Sequence, residues 1–140
     1  MTETQQTLTF SGGQSNYYAD NVETLVAFYR DNFGFRESYR TPPTGPAEHV
    51  ELRLGDYLIG FSAVEAARRI HHLPVDPGKP RGEIVLWTSD VDQAHQMLAA
   101  QRVTCIRPPH NFDVNETLKL RVAWYEDPEG NIFQTVCPRT

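Results

Sequence analysis

The stretch DNVETLVAFYRDNFG, Asp20 to Gly34, decides how the whole chain is read. Val22, Leu25, Val26, Tyr29 and Phe33 recur at i, i+3, i+4 and i+7 spacing, the apolar stripe of an amphipathic helix. Asp20 with Glu23 three residues on reads as a capping box with Asp in place of Ser or Thr. Gly34 supplies the stop. Around this helix lie strand patterns. QSNYYA (14–19) precedes it and FRESYR (35–40) follows it. HVELRLG (49–55) alternates, with Val50, Leu52 and Leu54 on one face and His49, Glu51 and Arg53 on the other. Gly55-Asp56 then turns the chain into YLIGFSA (57–63).

The order repeats in the second half. EIVLWTS (83–89) is a strand. Asp90 with Gln93 repeats the cap, seventy positions after Asp20, and Val91, Ala94 and Leu98 supply a helical stripe. VTCIRPP (103–109) reads as a strand ending at its prolines. LRVAWYED and NIFQTVC follow, joined by the turn in YEDPEGNIFQTV, Tyr125 to Val136. Asp127-Pro128 and Gly130-Asn131 are turn chemistry, and they set the register of the last strand. The prediction is an α+β fold of two βαβββ modules, over residues 10–63 and 82–138. A linker rich in Pro and Gly occupies 64–81. One helix covers one face of each sheet. The uncovered faces make a half-open cup of cupped mixed sheet with helices on the outer face, a suitable small-molecule site.

Composition narrows the function. The 140 residues suit one domain. The net charge of −5 and the scattered Lys and Arg exclude a phosphate-binding face, so no nucleic acid is expected. Arg68 and Arg69 are the one adjacent basic pair and read as a solvated helix face. Cys105 and Cys137 sit in no zinc spacing and read as two buried free thiols. No run approaches the ~20 apolar residues of a membrane span, and no leader pattern opens the chain. A cytoplasmic protein without membrane contact is expected.

NVETLVAFYRDNFGF and WYEDPEGNIFQTV carry a resemblance. The helix with its Phe-Tyr pair and Phe33-Gly34-Phe35 end, the Asp-Pro-Glu-Gly-Asn turn and the internal repeat together resemble the vicinal oxygen chelate superfamily. That group includes glyoxalase I, bleomycin-resistance proteins and extradiol dioxygenases. The likeness spans about residues 14–138. It implies the two-module fold, and either a metal enzyme or a metal-free binder on that scaffold. It also implies a homodimer, since members often complete the cup from two chains.

In metal-dependent members, four strands each supply one ligand, from His, Gln or Glu. The resemblance places those positions at Gln14, Gly60, Glu83 and Gln134. Gly60 has no side chain, and two amides with one carboxylate make a weak set for a transition metal. No cofactor is therefore favoured, and a divalent metal, if bound, would use Gln14, Glu83 and Gln134. His49 and Glu51 flank the missing ligand on the polar face. Strand alternation from these positions puts Asn16, Tyr18, Val85, Trp87, Ile132 and Val136 in the cup. One of Trp124 and Tyr125 faces it too.

The expected ligand contacts are Gln14, Asn16, Tyr18, Glu51, Trp87, Tyr125 and Gln134. Glu83 is the candidate catalytic carboxylate, a general base if apolar walls raise its pKa. No Ser-His-Asp set, catalytic Cys-His pair or Gly-rich phosphate loop is visible. The expected function is sequestration of a small, partly aromatic ligand, as in antibiotic resistance. The alternative is a lyase, isomerase or dioxygenase with an unusual metal site or Glu83 as base.

Overall fold

The computed structural model describes residues 14–76, 78 and 82–139. The expected start of the first module at residues 10–13, and residues 77 and 79–81 of the linker, lie outside them. The first module runs β1 (Ser15–Ala19), α1 (Val22–Phe33), β2 (Arg36–Thr41), β3 (His49–Leu54) and β4 (Tyr57–Ala63). After α2 (Val64–His71), the second runs β5 (Glu83–Trp87), α3 (Val91–Ala100), β6 (Thr104–Asp113), β7 (Lys119–Glu126) and β8 (Ile132–Pro138). The strands form two four-stranded mixed sheets, β1-β4-β3-β2 and β5-β8-β7-β6. In each, the first strand runs parallel to the last and the other pairs are antiparallel. The expected duplicated βαβββ architecture is therefore present.

The cap of α1 departs from expectation. Asn21, not Asp20, is the N-cap, and its side chain accepts from the Thr24 N–H at 3.1 Å. Asp20 sits one residue too early for that bond and gives its own N–H to Glu129. Asp90 caps α3 as expected, accepting from Gln93 N at 3.0 Å. Gly34 ends α1 at φ 80°, the left-handed conformation that a glycine adopts without steric cost.

Two further expectations are corrected. The first half of the expected linker is α2. Its Ala, Glu and Arg residues are good helix formers, and Glu65 pairs with Arg69 one turn on. The strand through VTCIRPP does not end at its prolines. β6 continues to Asp113, because it is an edge strand whose register shifts between Arg107 and His110, where Pro108 and Pro109 need give no ladder hydrogen bond. The two cysteines are free, but Cys105 is exposed and Cys137 only half-buried.

The helix-facing sides of both sheets share one core. Leu25, Val26 and Tyr29 of α1 join Val50, Leu52, Ile59 and Phe61 of the first sheet and Ile84, Tyr125 and Phe133 of the second. Phe133 meets the rings of Phe28 and Phe33 at 5.6 and 5.3 Å, so α1 bridges the modules. The closing turn reinforces this. Buried Asp127 accepts from the Tyr29 hydroxyl at 2.9 Å and from the N–H groups of Glu129 and Asn131 at 2.9 Å each. Burial dominates its electrostatics and raises its pKa against those hydrogen bonds. Burial, with Asp127 nearby, likewise raises that of Tyr29. With the helix sides joined in the centre, the opposite face of each sheet is the one available to a ligand.

Candidate functional site

On the first sheet, strand alternation puts Asn16 and Tyr18 of β1 beside Gly60 and Ser62 of β4. His49 and Glu51 of β3 follow, then Thr41 and Tyr39 of β2. These residues form a polar network. Gln14 Nε2 donates to Glu51 Oε2 at 2.9 Å and to Asn16 Oδ1 at 3.0 Å. His49 Nε2 lies 3.0 Å from Glu51 Oε2, and its Nδ1 lies 2.7 Å from Ser62 Oγ. The Gln14 hydrogen bond, then that of His49, hold the Glu51 carboxyl below the usual carboxylate range against its partial burial. Asn16, Tyr18, Tyr39, His49 and Ser62 line a cleft of about 480 Å³ walled on one side by Ala66, Ala67 and Ile70 of α2.

Gly60 has a positive role here. A β-carbon on it would lie 2.2 Å from Asn16 Oδ1 and 2.7 Å from His49 Cε1. The space that a ligand side chain would need is filled by the network itself. Gln14 is engaged by Glu51 and Asn16, and Glu83 by Trp124. Among the described residues, no three His, Cys, Asp or Glu side chains come together in a metal-binding group. This donor set does not fit a divalent transition ion.

The second sheet's cup face is aromatic. Glu83, Val85 and Trp87 of β5 lie opposite Ile132, Gln134 and Val136 of β8, with Trp124 of β7 next to Gln134. Trp124 Nε1 donates to Glu83 Oε1 at 2.9 Å, and the His110 ring stacks on the indole at 5.6 Å. Val122, Val136, Leu120 and Trp124 form a small apolar floor. Trp87 is 65% exposed and Val85 40%. Trp87, at the end of its strand, also borders a second cleft of about 400 Å³ with Phe33 and Met97.

The structure brings Gln14, Asn16, Tyr18 and Glu51 together on one sheet, and Glu83, Trp87 and Gln134 on the other. Tyr125 is not with them. It is buried on the helix side, its hydroxyl 2.9 Å from His95 Nδ1, and burial pushes its pKa up to about 12. Trp124 is its cup-facing neighbour. Glu83 is exposed and indole-bonded rather than enclosed by apolar walls. Residues that the sequence reading did not place among the contacts are His49, Ser62, Trp124 and His110. Alternation from Gly60 would have found Ser62, but the 2.7 Å bond needs the β3–β4 register.

The paired βαβββ modules define a known class of fold. The chain belongs to the Glyoxalase/Bleomycin resistance protein/Dioxygenase superfamily, whose family model matches residues 13–135. Similar solved structures share the fold. TioX from Micromonospora sp. ML1 is 19% identical, with a TM-score of 0.70 over 90% of this chain and 98% of that one. A glyoxalase/bleomycin resistance protein/dioxygenase from Nocardioides is 17% identical, with a TM-score of 0.72 over 93% and 85%. Lactoylglutathione lyase from Agrobacterium tumefaciens is 20% identical, with a TM-score of 0.64 over 90% and 92%. No curated protein matches the chain in sequence. Among the described residues, no helix is long and apolar enough to cross a membrane.

Proposed function

We propose that this protein binds a small, partly aromatic organic molecule without a metal, and that sequestration of that molecule is its function. The observation that carries the reading is the chemistry of the two faces. One presents a fixed set of hydrogen-bonding groups in a cleft, with Gly60 leaving no room for a ligating side chain. The other presents exposed Trp87 and half-buried Trp124, with one amide, Gln134, and one carboxylate, Glu83. Stacking on Trp87 and Trp124 supplies area, and Gln134 and Glu83 read polar edges. The carboxylate and the net charge of −5 favour a cationic or amine-bearing ligand.

The complete cup is a homodimer in this reading. Trp87, Val85 and Phe112, 49% exposed, leave apolar surface on the second sheet, and the first sheet of another copy faces it across the space where the ligand stacks. Titration of tryptophan fluorescence with a panel of aromatic amines, antibiotics included, tests the binding. Saturable quenching at micromolar ligand that weakens in Trp87→Ala is expected. A flat response across the panel refutes it. Sedimentation of the free protein as a monomer at all concentrations refutes the paired cup. A stoichiometric divalent ion lost in Glu83→Ala refutes the metal-free site.

A further inference from the structure

We propose that Ser62, His49 and Glu51 form a nucleophilic site that acylates at Ser62 Oγ and hydrolyses small activated esters. The inference goes beyond ligand sequestration and uses one sheet of a single chain. The side chains come from two adjacent strands and form an unbroken relay. Ser62 Oγ is 2.7 Å from His49 Nδ1, and His49 Nε2 is 3.0 Å from Glu51 Oε2. Gln14 donates to that same carboxylate oxygen at 2.9 Å.

Acceptor chemistry assigns the protons. A carboxylate only accepts, and Glu51 Oε2 takes both the Gln14 bond and the His49 bond. His49 Nε2 therefore carries the proton that faces Glu51. In the neutral imidazole Nδ1 is then the acceptor, so the Ser62 hydroxyl donates to it. A hydroxyl, a base and an orienting carboxylate in this relation make serine nucleophilic. The ring nitrogens are used in the opposite sense from the trypsin-type triad, with Nδ1 facing the serine.

The site is reachable and shaped. Ser62 and His49 line the cleft of about 480 Å³, and the apolar wall of α2 offers a surface for an acyl chain. Gly60 leaves His49 where it is, since a side chain there would displace the ring. Asn16 lines the same cleft. Its Oδ1 accepts from Gln14, which leaves its NH₂ group to donate to an ester carbonyl oxygen.

The chemistry balances without a redox partner. Ser62 Oγ adds to the carbonyl carbon as His49 Nδ1 takes the hydroxyl proton. The bond from that carbon to the alcohol oxygen breaks, and His49 returns the proton to the departing alcohol. Water then adds to the acyl-serine, its proton passing to His49. The acyl bond to Ser62 breaks, Ser62 regains a proton and a carboxylic acid leaves.

A fluorophosphonate probe, which loses fluoride to a nucleophilic serine, tests this on the full chain. One adduct is expected, mapped by peptide mass spectrometry to Ser62, together with turnover of p-nitrophenyl acetate. Ser62→Ala abolishes both. His49→Ala slows labelling about a hundredfold, and His49→Gln, which keeps more of the side-chain volume, serves if the alanine variant does not fold. Glu51 is a positioning residue. Glu51→Gln slows labelling about tenfold in protein that remains folded at the assay pH, and Glu51→Asp restores part of the rate. Folded wild-type protein without a Ser62 adduct overturns the proposal, as does an adduct whose rate ignores His49. Ligand quenching without an adduct removes this proposal alone, and an adduct without quenching removes the sequestration reading alone.

Discussion

Gly60→Ala is the substitution on which the account of the cup depends most. Gly60 stands in β4 between Asn16 of β1 and Glu51 of β3. The added methyl would lie 2.2 Å from Asn16 Oδ1 and 2.7 Å from His49 Cε1, where non-bonded carbon contacts normally begin near ~3.5 Å. Asn16 is short and exposed, so it swings aside and gives up its bond from Gln14. His49 is pinned at both nitrogens, so its movement breaks the Ser62 bond, the Glu51 bond or both. Overpacking costs about 1–3 kcal/mol, and a lost hydrogen bond about 1 kcal/mol. Loss of glycine freedom in the unfolded chain returns about 0.4–1 kcal/mol. With the Asn16 bond and at least one His49 bond lost, the net loss is about 2–5 kcal/mol, read as a lower urea midpoint at unchanged m-value. Against a His49→Ala background the same substitution costs less, because the ring it strikes is gone. A Gly60→Ala protein as stable as wild type, or one whose loss is the same in both backgrounds, would refute the packing argument.

Other expectations follow from the same contacts. Asp127→Ala removes the acceptor of three hydrogen bonds and leaves the buried Tyr29 hydroxyl unpaired. A loss of about 3 kcal/mol is expected by urea unfolding, and Tyr29→Phe should cost about 1 kcal/mol. Glu51 titrates below its ordinary value of 4.5 in the folded chain. Its contribution to stability is therefore complete above that value and lost as pH falls through the lower folded one. Unfolding curves between pH 6 and 3 should fall less steeply for Glu51→Gln than for wild type. Trp87→Ala, at a side chain 65% exposed, should change the melting temperature little while weakening quenching by an aromatic ligand at Trp124.

Much of the fold was legible because it rests on local periodicity. The stripe from Val22 to Phe33 can be satisfied only by a helix with one buried face, and the alternation of Val50, Leu52 and Leu54 only by a half-buried strand. The repeat at Asp20 and Asp90 then doubled the unit, although Asn21 took over the first cap. Alternation also named most of the cup. It failed at Trp124 and Tyr125, where the pattern leaves the phase of the strand open. Tyr125 buries its ring against Phe133 at 5.2 Å and satisfies its hydroxyl on His95, and that decides the phase. α2 was missed because prolines and glycines further along dominated the reading of its segment, though Glu65 and Arg69 stood at helical spacing.

What the sequence by itself determined was the duplicated module, the turn from Asp127 to Asn131 and the absence of a donor at Gly60. Each depends on residues near in the chain or on a missing side chain. What only the tertiary structure decided was the use of that vacancy. Ser62 and His49 are thirteen residues apart, and their 2.7 Å contact exists because β3 and β4 pair in one register. A slip of one residue would turn His49 and Glu51 into the core and leave Val50 in the cleft. Hydrogen-bond partners across strands are set by that pairing, and periodicity along one strand does not carry it.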